Sequence, residues 1–238
     1  MQLTNKTVLL TGANGGLGQA LIQVLLDAGV AKIYAACRAP ERLTSTDPRV
    51  VPLTLDVTSA VQIAAVRRLA KDVDILLNNA GLNRQQRLLD AAEPGAAEAE
   101  MAVNYFATLN LCRAYATVLR ERQGAIVNVL SILARVALPA MGSLCASKAA
   151  ALRLTEGLRA ELAVDQVQVV AVLPGVIDTA MSRDFPGPKA SPEDIAQAIV
   201  DGLLEGATTL YPDPMSQQVA EGLAADREAT VGGFAAFL

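Results

Sequence analysis

The chain has 238 residues, 52% of them hydrophobic and 18% charged, with a net charge of −4 at pH 7. That length and composition suit one compact domain rather than a disordered protein, and the acidic balance offers no electrostatic footprint for nucleic acid. Without a single histidine, the chain cannot build a Ser-His-Asp or Cys-His centre or any His-ligated metal site. Its three cysteines, Cys37, Cys112 and Cys145, are too far apart for a CxxC motif or a disulfide framework, which points to a reducing cytoplasm. No apolar run approaches a membrane span and no signal peptide precedes the first strand, so a soluble, non-membrane protein is expected.

In chain order, Thr7–Thr11 reads as a buried strand, followed at once by the glycine-rich TGANGGLG and a helix over residues 19–28. Lys32–Cys37 and residues 50–55 are the next strands, residues 61–69 a helix, and residues 74–77 a strand that ends in Asn78-Asn79-Ala80-Gly81. A long Ala- and Glu-rich helix is expected over 96–120, strands over Ala125–Val129 and 167–172, and a second long helix over 143–163. Ser191-Pro192-Glu193-Asp194 is an N-cap with proline at the first helical position, opening a helix over 191–205. Residues 208–211 read as a last short strand. Fully apolar strands alternating with helices imply a parallel sheet covered on both faces. The chain is therefore expected to be a single α/β domain, 1–238, with a doubly wound sheet of about seven strands. The Pro/Gly-containing stretch 181–190 falls near the carboxyl end of the sixth strand, where ligands bind in such sheets, so the region near 180–190 is a candidate substrate loop.

Gly12, Gly15, Gly16 and Gly18 lie between a strand and a helix. Glycine at such a turn lets the backbone bend sharply and lets a pyrophosphate approach amide N–H groups at the helix N-terminus. The spacing TGxxxGxG resembles the short-chain dehydrogenase/reductase family, and the likeness continues in order along the chain. Leu55-Asp56-Val57 resembles the family segment whose aspartate meets adenine, and Asn78-Asn79-Ala80-Gly81 its NNAG stretch. Asn104, Ser131 and Lys148 stand where the family carries its asparagine, serine and lysine, and Pro174-Gly175-Val176-Ile177-Asp178-Thr179 resembles its nicotinamide segment.

The resemblance implies a Rossmann-type nicotinamide site made by Gly12, Asn14, Gly16, Leu17, Gly18, Arg38, Asp56, Val57, Asn79, Ala80, Gly81, Lys148, Pro174, Gly175, Ile177 and Thr179, with no metal. NAD-using members carry an acid at the end of the second strand. Here that position is Cys37, followed by Arg38, a guanidinium able to pair with a 2′-phosphate, with Arg42 a second candidate. NADP(H) is therefore expected over NAD.

In the family a Tyr-x-x-x-Lys pair carries proton transfer, with a serine thirteen residues before the tyrosine. Four residues before Lys148 stands Leu144, thirteen before that Ser131, and twenty-seven further Asn104. The frame is intact and only the tyrosine is missing. Leucine neither donates nor accepts a proton. Ser143 and Cys145 flank the position but point about 100° away on a helix, and Tyr105, one residue past Asn104, should face elsewhere. Ser131 is left to polarise a carbonyl, and a water fed by Lys148 to supply the proton.

The expected pocket rim, Leu133, Val136, Met141, Leu144, Met181 and Phe185, is apolar and implies an apolar carbonyl or alcohol, while Arg135 reads as surface. The family resemblance also implies a homodimer or homotetramer through the two long helices, and the apolar end Phe234-Ala235-Ala236-Phe237-Leu238 is a candidate docking segment. Two other readings stay open: a nicotinamide-binding sensor or interaction protein without turnover, and a non-redox or proton-independent reaction in the same pocket, which would require a new acid or base.

Overall fold

The computed structural model describes residues 1–236, so the apolar docking segment expected at the chain end lies partly outside the described residues, at Phe237 and Leu238. Seven strands form one parallel sheet in the order β3-β2-β1-β4-β5-β6-β7. They are β1 (Thr7–Thr11), β2 (Lys32–Cys37), β3 (Val50–Thr54), β4 (Ile75–Asn78), β5 (Ala125–Val129), β6 (Gln168–Val172) and β7 (Thr209–Leu210). The central strands show no apolar–polar alternation because both faces are covered. Val8 and Leu10 pack with helices α1 (Gly16–Asp27) and α6 (Pro192–Glu205) on one face. Leu9 packs with α2 (Ala60–Leu69) and α4 (Thr108–Arg122) on the other. Each such buried Leu or Val contributes roughly 1.5–3 kcal/mol. Pro52 is tolerated because β3 is an edge strand, where a missing N–H breaks no central ladder.

The expected helices are present with shifted limits. Helix α1 begins at Gly16 rather than residue 19, because the glycines of the turn already form its first helical turn. The long helix expected over 96–120 is broken into α3 (Ala96–Met101), a π-helical turn over Ala102–Ala107, and α4. Helix α5 (Gly142–Leu162) matches its expectation closely. The Ser191 side chain accepts the Asp194 N–H at 3.0 Å and caps α6, and Gly206 closes it at φ 79°. Two C-terminal helices, α7 (Pro214–Ala225) and α8 (Arg227–Ala235), were not anticipated, although Asp213 followed by Pro214 is a cap signal of the same kind as Ser191-Pro192. Among the described residues no helix is long and apolar enough to cross a membrane.

The order in which strands are added reverses between β1 and β4: β2 and β3 extend the sheet one way, β4 to β7 the other, all still parallel. Ligand crevices of doubly wound sheets open at this point, beyond the carboxyl ends of the strands. The glycine turn after β1, Asn79-Ala80-Gly81 after β4, Ser131 after β5 and Pro174–Thr179 after β6 all leave the sheet at that edge.

Candidate active site

The glycine turn is built for close approach. Gly12 takes φ +64°, and a Cβ there would stand 3.0 Å from the Ala80 backbone. A Cβ on Gly18 would sit 2.3 Å from the Gly12 carbonyl oxygen, so the helix can start against the strand only with glycine. A Cβ on Gly16 would meet the Thr179 methyl at 2.9 Å, which shows how tightly the segment after β6 lies over the turn. Thr11 ties the two central loops together: its Oγ1 accepts the Asn79 and Ala80 N–H groups at 3.0 and 3.1 Å. Asn79 returns its amide to the Thr11 and Gly12 carbonyls, both at 3.1 Å.

The loops after β2 and β3 are equally ordered. Asn14 donates to the Ala39 carbonyl at 3.3 Å, joining the glycine turn to the loop that carries Arg38, which is exposed. Burial pushes the Cys37 thiol up, so it stays neutral at the end of β2. The Asp56 carboxylate accepts from the Thr58 hydroxyl and N–H at 2.7 and 2.9 Å, which hold its pKa down, and Arg38 adds to that effect.

At the opposite end, Asn104, Lys148 and Gly81 converge. A Cβ on Gly81 would lie 3.5 Å from Asn104 Oδ1 and 3.6 Å from Lys148 Nζ. The Lys148 ammonium is buried, donates to the Val129 carbonyl at 3.1 Å, and is pulled down by desolvation to a pKa of about 8. Asn104 sits inside the π turn, a local widening that recurs at functional sites. Its side chain accepts the Leu82 N–H and donates to the Leu82 carbonyl and to Ser147 Oγ, each at 2.9 Å. Ser131 is held in extended backbone as the cap of a short turn, its Oγ accepting the Leu133 N–H at 3.1 Å. Leu144, one helical turn before Lys148, is buried in the first turn of α5.

Several expectations shift. Leu133 and Val136 pack with α7 and α8 rather than standing free at a pocket rim, while Met181 and Phe185 are exposed on the loop after β6. Arg135 is exposed, as expected, and bonds the Tyr211 hydroxyl. Tyr105 does face away from Asn104, lining a groove between α4 and α5. The residue that sequence reading passed over is Glu100, one turn before Asn104. Fully buried, its Oε1 accepts the Arg84 N–H at 2.6 Å while Oε2 has no partner among the described residues.

A glycine turn packed too closely for side chains at Gly12, Gly16 and Gly18, leading through Ala80 and Gly81 to a buried lysine with no acid partner among the described residues, fits a dinucleotide diphosphate and ribose. The family model for short chain dehydrogenases matches residues 6–189. The chain belongs to the short-chain dehydrogenase family. A Burkholderia cenocepacia J2315 short chain dehydrogenase, solved in complex with NADP, is 52% identical with a TM-score of 0.95, over 98% of this chain and 99% of that one. An uncharacterized oxidoreductase of Staphylococcus aureus (strain USA300) is 30% identical over 85% of this chain and 93% of its own. A short chain dehydrogenase/reductase of Burkholderia phymatum in complex with NAD is 20% identical with a TM-score of 0.85, covers 96% of both chains, and shares the fold. As a member of this family, the chain is an oxidoreductase by descent.

Proposed function

We propose that this oxidoreductase uses NADP(H) to move a hydride between the nicotinamide and an apolar carbonyl or alcohol, with a proton step slowed by Leu144. The observation that carries the reading is the retained frame: Lys148 is still buried and Asn104 still anchored, one turn from a leucine. NADP(H) is favoured over NAD by the neutral Cys37, by the exposed Arg38 beside it, and by the NADP complex of the Burkholderia cenocepacia relative. When bound, the nicotinamide supplies or accepts the hydride. Gly12, Asn14, Gly16, Leu17, Gly18, Asn79, Ala80 and Gly81 hold the diphosphate side, Asp56 and Val57 the adenine, and Pro174, Gly175, Ile177 and Thr179 the carboxamide.

Ser131 Oγ polarises the substrate oxygen. In reduction the carbonyl carbon gains the hydride and its oxygen gains a proton, which reaches the site from solvent by way of Lys148. A lysine that titrates near pH 8 exchanges protons readily around neutrality. Leu144 is apolar, as are the exposed Met181 and Phe185 of the loop after β6, in keeping with an apolar substrate. The groove between α4 and α5, with exposed Phe106 nearby, supports a homodimer or homotetramer, and three free buried cysteines support a cytoplasmic setting.

The test is NADPH consumption with a panel of apolar aldehydes and ketones by the natural chain and by Leu144→Tyr. General acid catalysis is worth about 10²–10⁴-fold, so the tyrosine variant is expected to gain a hundredfold or more. A fast natural chain that the substitution harms would sink the assignment. The missing donor itself favours the second reading, a cofactor-binding sensor: NADPH binding without consumption by either protein would establish it.

A further inference from the structure

The chain from Tyr211 onward, with both C-terminal helices, lies beyond the residues that the family model matches, yet it touches the segments after β5 and β6 at three places. Asp213, buried at the start of α7, receives the Gly175 N–H on Oδ2 at 2.8 Å. The same carboxylate caps its helix, accepting the Ser216 N–H at 2.9 Å and the Ser216 hydroxyl at 2.9 Å, and Ser216 is fully buried. A Cβ on Gly175 would fall 2.7 Å from Asp213 Oδ1 and 2.9 Å from Met215 Sδ, so the segment after β6 is pressed flat against the helix start. The second contact is apolar: Val219 of α7, with Leu223, Val231 and Phe234, packs on Ile132 and Val136 of the stretch just after Ser131. The third is the bond from Arg135, in that stretch, to the hydroxyl of Tyr211, two residues before Asp213.

We infer that the α7–α8 pair is a clamp that fixes the spacing between the Ser131 arm and the Gly175 arm of the active site, and that Asp213 is its positioning residue. The inference rests on the reading of Pro174–Thr179 as the nicotinamide segment. A carboxylate is required because the Gly175 and Ser216 N–H groups fall on different oxygens, Oδ2 and Oδ1, while the Ser216 hydroxyl lies 2.9 Å from both Oδ2 and the Asp213 carbonyl. An asparagine would bring one acceptor oxygen and turn an NH₂ toward either Gly175 or Ser216. Asp213 touches neither cofactor nor substrate; it acts through the backbone of Gly175, whose conformation decides where the next residues meet the nicotinamide.

The experiment is an NADPH titration by fluorescence, with thermal melts alongside, of the natural chain, Asp213→Asn and Ser216→Ala. Ser216→Ala weakens the helix cap but leaves the bond from Gly175 to Asp213. Both variants should melt earlier, yet only Asp213→Asn should bind NADPH at least tenfold more weakly, Ser216→Ala staying within twofold. A folded Asp213→Asn that binds like the natural chain overturns the clamp, as does an equal loss in both variants. Hydrogen exchange at the Gly175 amide of the unliganded natural chain gives an answer that needs no mutant: slow exchange is expected, and exchange at exposed-loop rates refutes the anchor. Thr179→Val tests the segment itself. Weakened binding there with none in Asp213→Asn refutes the clamp alone, and no loss in either refutes the segment reading as well.

Discussion

Replacing Lys148 with methionine should stabilise the cofactor-free protein while abolishing its turnover. Burial lowers the lysine from 10.5 to about 8, and each pKa unit corresponds to about 1.4 kcal/mol, so holding the ammonium in place costs about 3 kcal/mol at neutral pH. The sign comes from proton counts. Between pH 8 and 10.5 the unfolded chain keeps a proton that the folded chain has released, so stability rises with pH across that window. Below pH 8 the cost is full; above 10.5 both states are neutral and it vanishes. Methionine has similar volume and no charge, and so fills the space. Urea unfolding followed by circular dichroism should find Lys148→Met more stable than the natural chain by up to about 3 kcal/mol at pH 7, with the difference shrinking toward pH 10.5. A variant less stable at pH 7, or an advantage independent of pH, would refute the argument. Such an outcome would mean that the bond to the Val129 carbonyl outweighs desolvation.

Two further outcomes are expected. Arg38→Ala should weaken NADPH binding about tenfold or more while NADH binding barely moves, because a charge-assisted pair with a 2′-phosphate contributes on the order of 1.5–3 kcal/mol; parallel titrations with both cofactors decide it, and an equal loss for both would count against the phosphate contact. Glu100→Gln keeps the Oε1 acceptor for the Arg84 N–H and removes a buried charge, so its urea midpoint should equal or exceed that of the natural chain. Glu100→Ala orphans that N–H and should cost about 1–3 kcal/mol. If glutamine proves as damaging as alanine, the charge itself is holding the loop.

Much of this architecture could be read locally. The glycine turn sits directly between β1 and α1, and each strand of the sheet centre is a continuous apolar run because helices cover both faces. The expectation of an absent tyrosine came from the family resemblance, against whose pattern the intervals of Asn104, Ser131 and Lys148 could be counted. The features that escaped depend on contacts between distant segments. Glu100 lies in Ala-Ala-Glu-Ala-Glu-Met, which reads as a solvated helix face; only the path of the loop from Leu82 to Gln86 over α3 and α5 buries it. The π turn around Asn104 leaves no mark in composition. Helices α7 and α8 carry legible caps at Asp213 and Asp226, but their apolar stripe is short and its partner, the turn after Ser131, is about eighty residues away in sequence.

That π turn also sets a phase relation along the chain. An α-helix advances about 100° per residue, and a wider turn stores one residue of offset between the helix before it and the helix after it. Glu100, on the near side, meets the loop after β4, while Leu111 and Tyr115, on the far side, enter the core beneath the sheet. Both engagements hold at once only because Ala102–Ala107 absorbs the mismatch. Removing a single residue from that stretch would leave each half helical and each half well packed in isolation, yet rotated so that only one of them could find its partner. The length of this stretch, more than the identity of its side chains, is what lets Asn104 bond the loop after β4 while the helix that follows it packs against the sheet.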